Sequence, residues 1–170
     1  FKTGTPPRLD GKTIDFSKMT RQDSDAKPIP FSFSNKEIPP DQKLLPCYIT
    51  ATNEKTHDII RANLHLSPMY SGKIKSTGVR YCPSIEDKLV KFAEKRQHHV
   101  FLEPEGLDAD LYYPNGISTG LPEEVQEAFV HSVAGLEHVH IVRFGYSIEH
   151  DVIASTQLEP TLESKPVKGL

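Results

Sequence analysis

The amino-acid sequence predicts a mixed fold of the α/β class with α+β character, in which helices and strands share a core. Three segments carry apolar residues at helical spacing, and the runs between them are short and rich in β-branched and aromatic residues. Strands that alternate with helices are typical of this class. A length of 170 residues is sufficient for one medium domain or for parts of two.

The first 50 residues predict turns, a connector and two short strands. Residues 1–16 are rich in glycine and proline, and residues 17–46 contain five prolines and show no clear period. Within this connector, the run "PFSFS" alternates apolar and polar residues and predicts a short strand. Residues 47–50, "CYIT", predict a second strand because they include aromatic and β-branched side chains.

Apolar periodicity and capping residues predict three helices. The segment "TNEKTHDIIRANL" begins with Thr52 or Asn53 as its cap and places its isoleucines on one face. After Cys82, Ser84 and Asp87 resemble a capping box, and apolar residues then recur at helical spacing. The third segment, "LPEEVQEAFVHSVAGL", has a proline and acidic residues in its first turn and a glycine near its end.

Two further strands complete the predicted order of elements. The run "HHVFLEPEG" predicts a strand that Pro104 and Gly106 terminate. The run "HVHIVRFGY" predicts another, with Val139 and Ile141 on the same face.

Composition excludes several broad classes of protein. Hydrophobic residues make up 36% of the chain, and no apolar run reaches the roughly 18 residues that a membrane span requires. No secretory signal is visible at the first residues. The net charge of −3 does not predict a nucleic-acid-binding surface over the whole chain, although a local basic face is compatible with it.

The cysteines and histidines predict neither a disulfide framework nor a metal site. The two cysteines are 35 positions apart, and no CxxC pair is present. The eight histidines include no HExxH motif, so we interpret them mainly as surface residues of strands and expect no bound metal. Two unpaired thiols indicate a reducing compartment.

Cys82 and Arg80 form the first candidate site. Both lie just before a predicted helix, and alternation along an extended chain puts them on the same side. A helix start and a nearby cation both favour a reactive thiolate. Spacing alone nevertheless favours a packed, unreactive cysteine at this position. Cys47, with no basic residue within three positions, is interpreted as a packed thiol.

Two other groups of polar residues are weaker candidates. The start of the same helix, with Arg80, Ser84 and Lys88, could bind a phosphate or carboxylate, but ordinary helix capping is the favoured explanation. Asp58 lies on the polar side of the first helix, where solvated charge pairs are the simplest interpretation. The acidic turn in "FLEPEGLD" is a weak candidate for acid–base chemistry. No GxGxxG motif or P-loop occurs.

Several long motifs together resemble one known family. They occur in the family's order, and they are "KTGTPPRLDGKTIDFS", "PCYITATNEKTHDIIRANLHLSPMYSG", "RYCPSIEDK", "FLEPEGL", "YPNGISTGLP" and "PTLESK". The family is MnmG, also called GidA, the flavoprotein subunit of the tRNA uridine 5-carboxymethylaminomethyl modification enzyme. The resemblance extends over nearly the whole chain.

This resemblance implies part of a glutathione-reductase-like FAD-binding fold that contains an inserted segment. It implies an FAD- and NADH-dependent enzyme that uses methylenetetrahydrofolate as a substrate. The product would be an aminomethyl or carboxymethylaminomethyl group on C5 of the wobble uridine, position 34, of tRNA. The implied partners are tRNA, the GTPase MnmE and a second copy of the full protein, in the bacterial cytoplasm and without a membrane.

The resemblance also implies site residues. Cys82 matches the family's proposed catalytic thiol, Arg80 matches a cofactor or tRNA contact, and Asp58 matches a functional aspartate in "THD". Residues 78–92 match the segment assigned to NAD binding. The members of that segment are Gly78, Val79, Arg80, Tyr81, Cys82, Pro83, Ser84, Ile85, Glu86, Asp87, Lys88, Leu89, Val90, Lys91 and Phe92.

Four positions depart from the pattern that the family predicts. Val79 and Phe144 stand in place of prolines, Ala51 in place of a histidine and His150 in place of a tyrosine. None of them is Cys82 or Arg80, so the main assignments are unaffected. A role for the histidine at position 51 cannot apply here.

The implied domain division has three parts. Residues 1–16 would belong to the FAD-binding domain, residues 17–75 to the inserted segment, and residues 76–170 to the continuation of the FAD- and NAD-binding domain. We expect the chain to be the central piece of a longer protein and inactive alone, with the FAD fingerprint before it and a helical domain after it.

Two alternative functions stay open at the level of sequence. The chain could be a non-catalytic module that docks tRNA or a partner protein, with the chemistry located elsewhere. It could also belong to a flavoprotein that resembles the folate-dependent tRNA uridine methyltransferase. The length of "TNEKTHDII" and "RYCPSIEDK" favours the first reading, the aminomethyl-type modification, over the methyltransferase.

Overall fold

The computed structural model describes residues 1–79 and 81–170, and its mixed α and β architecture confirms the predicted class. The strands are β1 (Lys2–Gly4), β2 (Arg8–Asp10), β3 (Thr20–Gln22), β4 (Cys47–Ala51), β5 (His99–Pro104), β6 (Leu111–Asn115), β7 (Ile141–Arg143) and β8 (Ser147–Glu149). The α-helices are α1 (Glu54–Ala62), α2 (Ile85–Lys91) and α3 (Glu123–Val130). Short 3-10 helices occupy Gly11–Thr13, Phe16–Lys18, Leu64–Leu66 and Ser155–Gln157.

Six of the strands form one sheet in the order β3-β4-β5-β6-β2-β7, and each strand pair in it is antiparallel. At its centre, β5 and β6 form a hairpin in which Phe101 lies opposite Asn115 and Glu103 lies opposite Tyr113. β1 and β8 pair separately as a two-stranded antiparallel ribbon. One local hairpin therefore builds the centre of the sheet, and long-range pairing adds β4 on one side and β2 and β7 on the other.

The caps of the first two helices agree with the sequence. The Asn53 side chain accepts a hydrogen bond from the Thr56 N–H at 3.0 Å, so Asn53 and not Thr52 caps α1. Ser84 Oγ accepts from the Asp87 N–H at 3.1 Å, as the predicted cap of α2 requires. α3 is shorter than predicted, because it ends at Val130 and turns lead from there to residue 136.

The predicted strand in "PFSFS" is wrong. Phe31 and Phe33 are fully exposed in irregular chain, because the flanking prolines lack the N–H groups that strand pairing needs. Strand β6 was not predicted, since Pro114 argues against a central strand. The strand tolerates Pro114 because β2 pairs only with Leu111 and Tyr112, which leaves Pro114 a partner on β5 alone.

The sheet also includes strands from different parts of the predicted domain division. β3 and β4 come from the predicted inserted segment, residues 17–75, and β4 pairs with β5 from the predicted continuation. β2 comes from the predicted first part. The division itself stays a prediction.

One hydrophobic core lies between the sheet and the helices. Fully buried members include Leu9 of β2, Ile60 of α1, Leu102 of β5 and Phe129 of α3. Burial of each such side chain contributes about 1.5–3 kcal/mol. No helix among the described residues has the length and apolar character that a bilayer crossing requires.

A buried glutamine of α3 hydrogen-bonds the backbone between β7 and β8. Gln126 is 1% exposed, and its side-chain carbonyl accepts from the Gly145 N–H at 2.7 Å. Its amide group donates to the carbonyl oxygens of Leu121 at 2.7 Å and Gly145 at 2.8 Å. A Cβ on residue 145 would collide with the Thr5 carbonyl oxygen, so this position needs glycine.

We expect Gln126→Ala to lower the free energy of unfolding of the full-length protein by about 2–4 kcal/mol, because it leaves three backbone groups buried without partners. Denaturant unfolding measures the change. Glu127→Ala, an exposed position on the same helix, is the control and should change the free energy of unfolding by less than about 0.5 kcal/mol. Equal effects of the two substitutions would contradict the role of Gln126.

Candidate functional site around Cys82

Cys82 lies on the surface, two residues before the cap of α2. Its side chain is exposed, which makes the interpretation of a packed thiol wrong. Its backbone φ of 53° falls in the left-handed region, which is uncommon for a residue other than glycine. Such conformations cluster at functional sites, where surrounding contacts hold them in place. Arg80, the other central residue of this site, lies outside the described residues.

The beginning of α2 is bonded closely to the segment that follows β6. The Ile85 N–H donates to the Ser118 carbonyl oxygen at 2.7 Å, and the Lys88 N–H donates to the Ser84 carbonyl oxygen at 3.0 Å. Together with the Asp87 N–H on Ser84 Oγ, these bonds use backbone donors near the helix start. An anion site at this helix start stays a prediction, and its donors would have to include side chains.

Glu86 is the most buried ionisable residue of this region. Its side chain is 0% exposed, and Oε1 accepts from Ser67 Oγ at 3.1 Å and from the Gly120 N–H at 3.0 Å. Among the described residues, Oε2 has no hydrogen-bond partner. Burial raises the pKa of Glu86 above its ordinary value. Sequence gave no signal for this burial, since an acid in the first turn of a helix is usually solvated.

Lys88 is the described cation that acts on Cys82. Its ammonium group donates to the Gly116 carbonyl oxygen at 2.8 Å, which holds the side chain half-buried. Burial lowers the pKa of Lys88, and a negative charge on the Cys82 thiol acts in the opposite direction.

Asp87 ties α2 to a neighbouring tyrosine. Tyr70 Oη donates to Asp87 Oδ1 at 2.6 Å, and Lys91 Nζ lies 3.9 Å from Asp87 Oδ2. Burial first, and the Asp87 carboxylate second, raise the pKa of Tyr70. A Cβ on Gly78 would lie 3.3 Å from Asp87 Oδ2, so residue 78 approaches α2 closely. The first residue of the predicted NAD-binding segment therefore lies close to α2.

Asp58 is exposed on α1 and forms an ion pair with Arg61 at 3.6 Å. Among the described residues, no hydrogen bond or ion pair joins it to Cys82. Its functional role stays a prediction. Cys47, on β4, is half-buried, and burial raises the pKa of its thiol. These two observations agree with a packed Cys47.

A pair of histidines beside Asp58 was not predicted as a site. His57 is 1% exposed, and its Nε2 lies 2.7 Å from Thr52 Oγ1. The ring centroids of His57 and His98 are 5.5 Å apart, and His98 Nε2 is buried without a hydrogen-bond partner in the described part of the chain. Burial lowers the pKa of both, in the case of His98 to about 4. Both rings are therefore neutral at pH 7. The signal was hidden because the two residues meet only through tertiary packing.

Metal-ligating residues do not come together in the described ranges, 1–79 and 81–170. No group of three or more histidine, cysteine, aspartate or glutamate side chains there is placed to hold a metal ion. Of the predicted site residues, Cys82 and Lys88 lie together and Asp58 lies apart from them. Glu86, His57 and His98 join the site as residues that sequence reasoning missed or assigned no role of their own.

Comparison with known proteins defines the class. The family described as "Glucose inhibited division protein A", GIDA, matches residues 1–170, and the chain belongs to this family. It is 60% identical over 170 residues to the tRNA uridine 5-carboxymethylaminomethyl modification enzyme MnmG of Thermodesulfovibrio yellowstonii. It is 54% identical over 172 residues to the enzyme of the same name from Nitratiruptor sp.. Both matches cover 100% of this chain and 27% of the relative.

Solved structures agree with this membership. The structure of Aquifex aeolicus GidA in its form I crystal matches with a TM-score of 0.85 and 52% sequence identity, over 99% of this chain and 29% of that one. The form II crystal gives a TM-score of 0.81 at 49% identity. The chain thus spans between a quarter and a third of the length of the proteins it matches.

We expect Glu86→Gln to preserve the fold, because a side-chain carbonyl still accepts from Gly120. Glu86→Ala should lower the free energy of unfolding by about 3 kcal/mol, since it leaves two buried donors unpaired. The raised pKa of Glu86 means that the unfolded chain releases this proton first as pH rises above 4.5. Wild type should therefore lose stability relative to Glu86→Gln as pH rises above about 4.5. Denaturant unfolding of the full-length proteins at pH 5 and 7.5 tests this, and a pH-independent difference would contradict it.

For His98 we expect folding stability to depend on pH in the opposite direction. Its pKa is about 4 in the folded state against 6.5 ordinarily, so the unfolded chain takes up the proton first as pH falls from about 6.5. Stability is then lost between pH 6.5 and 4. His98→Asn should reduce this loss by about 1–2 kcal/mol after allowance for solvent screening. The neighbouring exposed histidine provides the control, His99→Asn, which should keep the wild-type pH dependence. Identical curves for both variants would refute the prediction.

Proposed function

We propose that the whole protein modifies tRNA by adding an aminomethyl or carboxymethylaminomethyl group to C5 of the wobble uridine, position 34. The observation that carries this proposal is the 60% identity, over the entire chain, to an enzyme named for tRNA uridine 5-carboxymethylaminomethyl modification. The chain accounts for 27% of that enzyme's length. The activity, its substrates and its partners therefore belong to the whole protein.

The proposed cofactors are FAD and NAD(H), with methylenetetrahydrofolate as a substrate. A cavity of about 240 Å³ lies beside α2 and is lined by Pro83, Lys88, Phe92, Lys95 and His98. Two ammonium groups and an aromatic ring suit the diphosphate and a planar ring of a dinucleotide, and this supports the assignment of residues 78–92 to NAD. When bound, the dinucleotide would supply reducing equivalents. FAD would be held by residues outside this chain, which lacks a GxGxxG motif.

In this mechanism, Cys82 acts on the substrate as a nucleophile or as an acid–base group. Exposure gives its sulfur access to a substrate, and Lys88 is a cation close enough to interact with it. Lys88 cannot turn freely towards solvent because Gly116 holds its ammonium group. Arg80 would bind an anionic group of the cofactor or of tRNA, and Asp58 would act through a separate contact with the substrate.

The proposed partners are tRNA, the GTPase MnmE and a second copy of the full-length protein. The proposed location is the bacterial cytoplasm. The name of the related enzymes supports tRNA, and the family resemblance in "RYCPSIEDK" supports the other partners.

Replacing Cys82 with serine in the full-length protein should lower the rate of tRNA modification by about 100-fold or more, because serine is a far weaker nucleophile and acid at neutral pH. FAD absorbance and tRNA affinity should be unchanged, since the side chain is exposed and nearly isosteric. Mass spectrometry of nucleosides from modified tRNA provides the measurement.

Cys47→Ser is the matched control, because this thiol is half-buried on β4 and should not contribute to the chemistry. If the Cys82→Ser protein modified tRNA at the wild-type rate, the assignment of a catalytic role to Cys82 would be wrong. That result would favour the alternative in which this part of the protein docks tRNA or a partner.

A further inference from the structure

Three adjacent cavities follow residues 95–99, "KRQHH", on the surface beside Cys82. The first, of about 420 Å³, is bordered by His57, Arg61 and Arg96. The second, of about 430 Å³, runs along residues 95–99, and the third is the 240 Å³ cavity beside α2. Lys95 lines all three, so they are neighbours on the surface between α1 and α2. We call these three cavities together the basic groove.

The basic groove has a charge opposite to that of the chain. Its cations are Arg61, Lys88, Lys95 and Arg96. Its acids are Glu54 and Glu94, whereas the whole chain carries a net charge of −3. Among the described residues, no ion pair neutralises Lys88, Lys95 or Arg96, and Arg61 has only the exposed partner Asp58 at 3.6 Å. Concentrated, unpaired positive charge of this kind attracts a polyanion.

The remaining lining suits a nucleic acid. His98 is partly exposed and neutral at pH 7, so it adds polar surface to the groove without adding charge. Phe92 is 44% exposed and lines the third cavity, the one that Pro83 next to Cys82 also lines. A cationic path that ends in an exposed aromatic ring is typical of sites for single-stranded RNA.

We propose that the first and second cavities of the basic groove bind the phosphate backbone of the tRNA substrate and lead its target nucleotide towards Cys82. This inference rests on the proposed function. A dinucleotide cofactor has one diphosphate, which the third cavity alone accommodates. Arg61 and Arg96 line only the first and second cavities, beyond that diphosphate, and therefore need a longer anion.

The test compares the full-length wild type with the double variant Arg61→Ser/Arg96→Ser. The dissociation constant for tRNA at 150 mM salt should rise about tenfold. The slope of log affinity against log salt concentration should become less steep by about 1–2. Each phosphate contact that the variant lacks means that fewer counterions are released when tRNA binds. Affinity for NADH should be unchanged. The control Lys36→Ser/Lys43→Ser removes two charges from the exposed connector and should leave tRNA affinity as in wild type.

A gain of affinity provides a test that misfolding cannot imitate. Glu94→Gln removes a negative charge from the first cavity and should strengthen tRNA binding about two- to threefold. If wild type modifies tRNA but both groove variants bind it with wild-type affinity and salt slope, the groove inference is overturned and the proposed function stands. Loss of NADH affinity without loss of tRNA affinity would overturn it in favour of a cofactor site. A wild type that neither binds nor modifies tRNA would refute the proposed function as well.

Discussion

The buried carboxylate of Glu86 is the constraint on which the Cys82 site depends. A carboxylate with no exposure is costly, and it persists in a folded protein only when fixed donors surround it. Here the donors are Ser67 and the Gly120 N–H, from two segments that are distant in sequence. Because Glu86 is four residues from Cys82 along the chain, these contacts also restrict where Cys82 can lie.

The segment after β6 acts as a platform for α2. Three bonds join them, from the Ile85 N–H to Ser118, from Lys88 Nζ to Gly116 and from the Gly120 N–H to Glu86. The other side of this platform is held by the Thr119 N–H, which donates to the Thr5 carbonyl oxygen at 3.0 Å. The segment that follows the central hairpin therefore holds the start of α2 in place. The cap at Ser84 adds only a local contact within α2.

Structural features that depend on residues near one another in sequence were predictable, and features that depend on distant residues were not. The caps at Asn53 and Ser84 and strand β5 followed from local patterns, because capping and strand propensity act within a few residues. The burial of Glu86 and the meeting of His57 with His98 did not, since each arises where separate segments pack. The family motif predicts a reactive thiol at Cys82, whereas spacing alone favours a packed residue; the side chain is exposed, and the catalytic role stays a prediction.

The same contacts change the physical account of how Cys82 would be activated. The sequence suggested that free N–H groups at the helix start stabilise a thiolate. In the structure, the Ile85 N–H donates to the Ser118 carbonyl oxygen and the Asp87 N–H donates to Ser84 Oγ, so neither is free. The stabilising charge must then come from side chains, and Lys88 is half-buried with its ammonium group fixed in place. A fixed, partly desolvated cation acts more strongly than one that is free in water. The proposed groove would act in the same way, because a polyanionic substrate would meet a row of cations that leads towards Cys82.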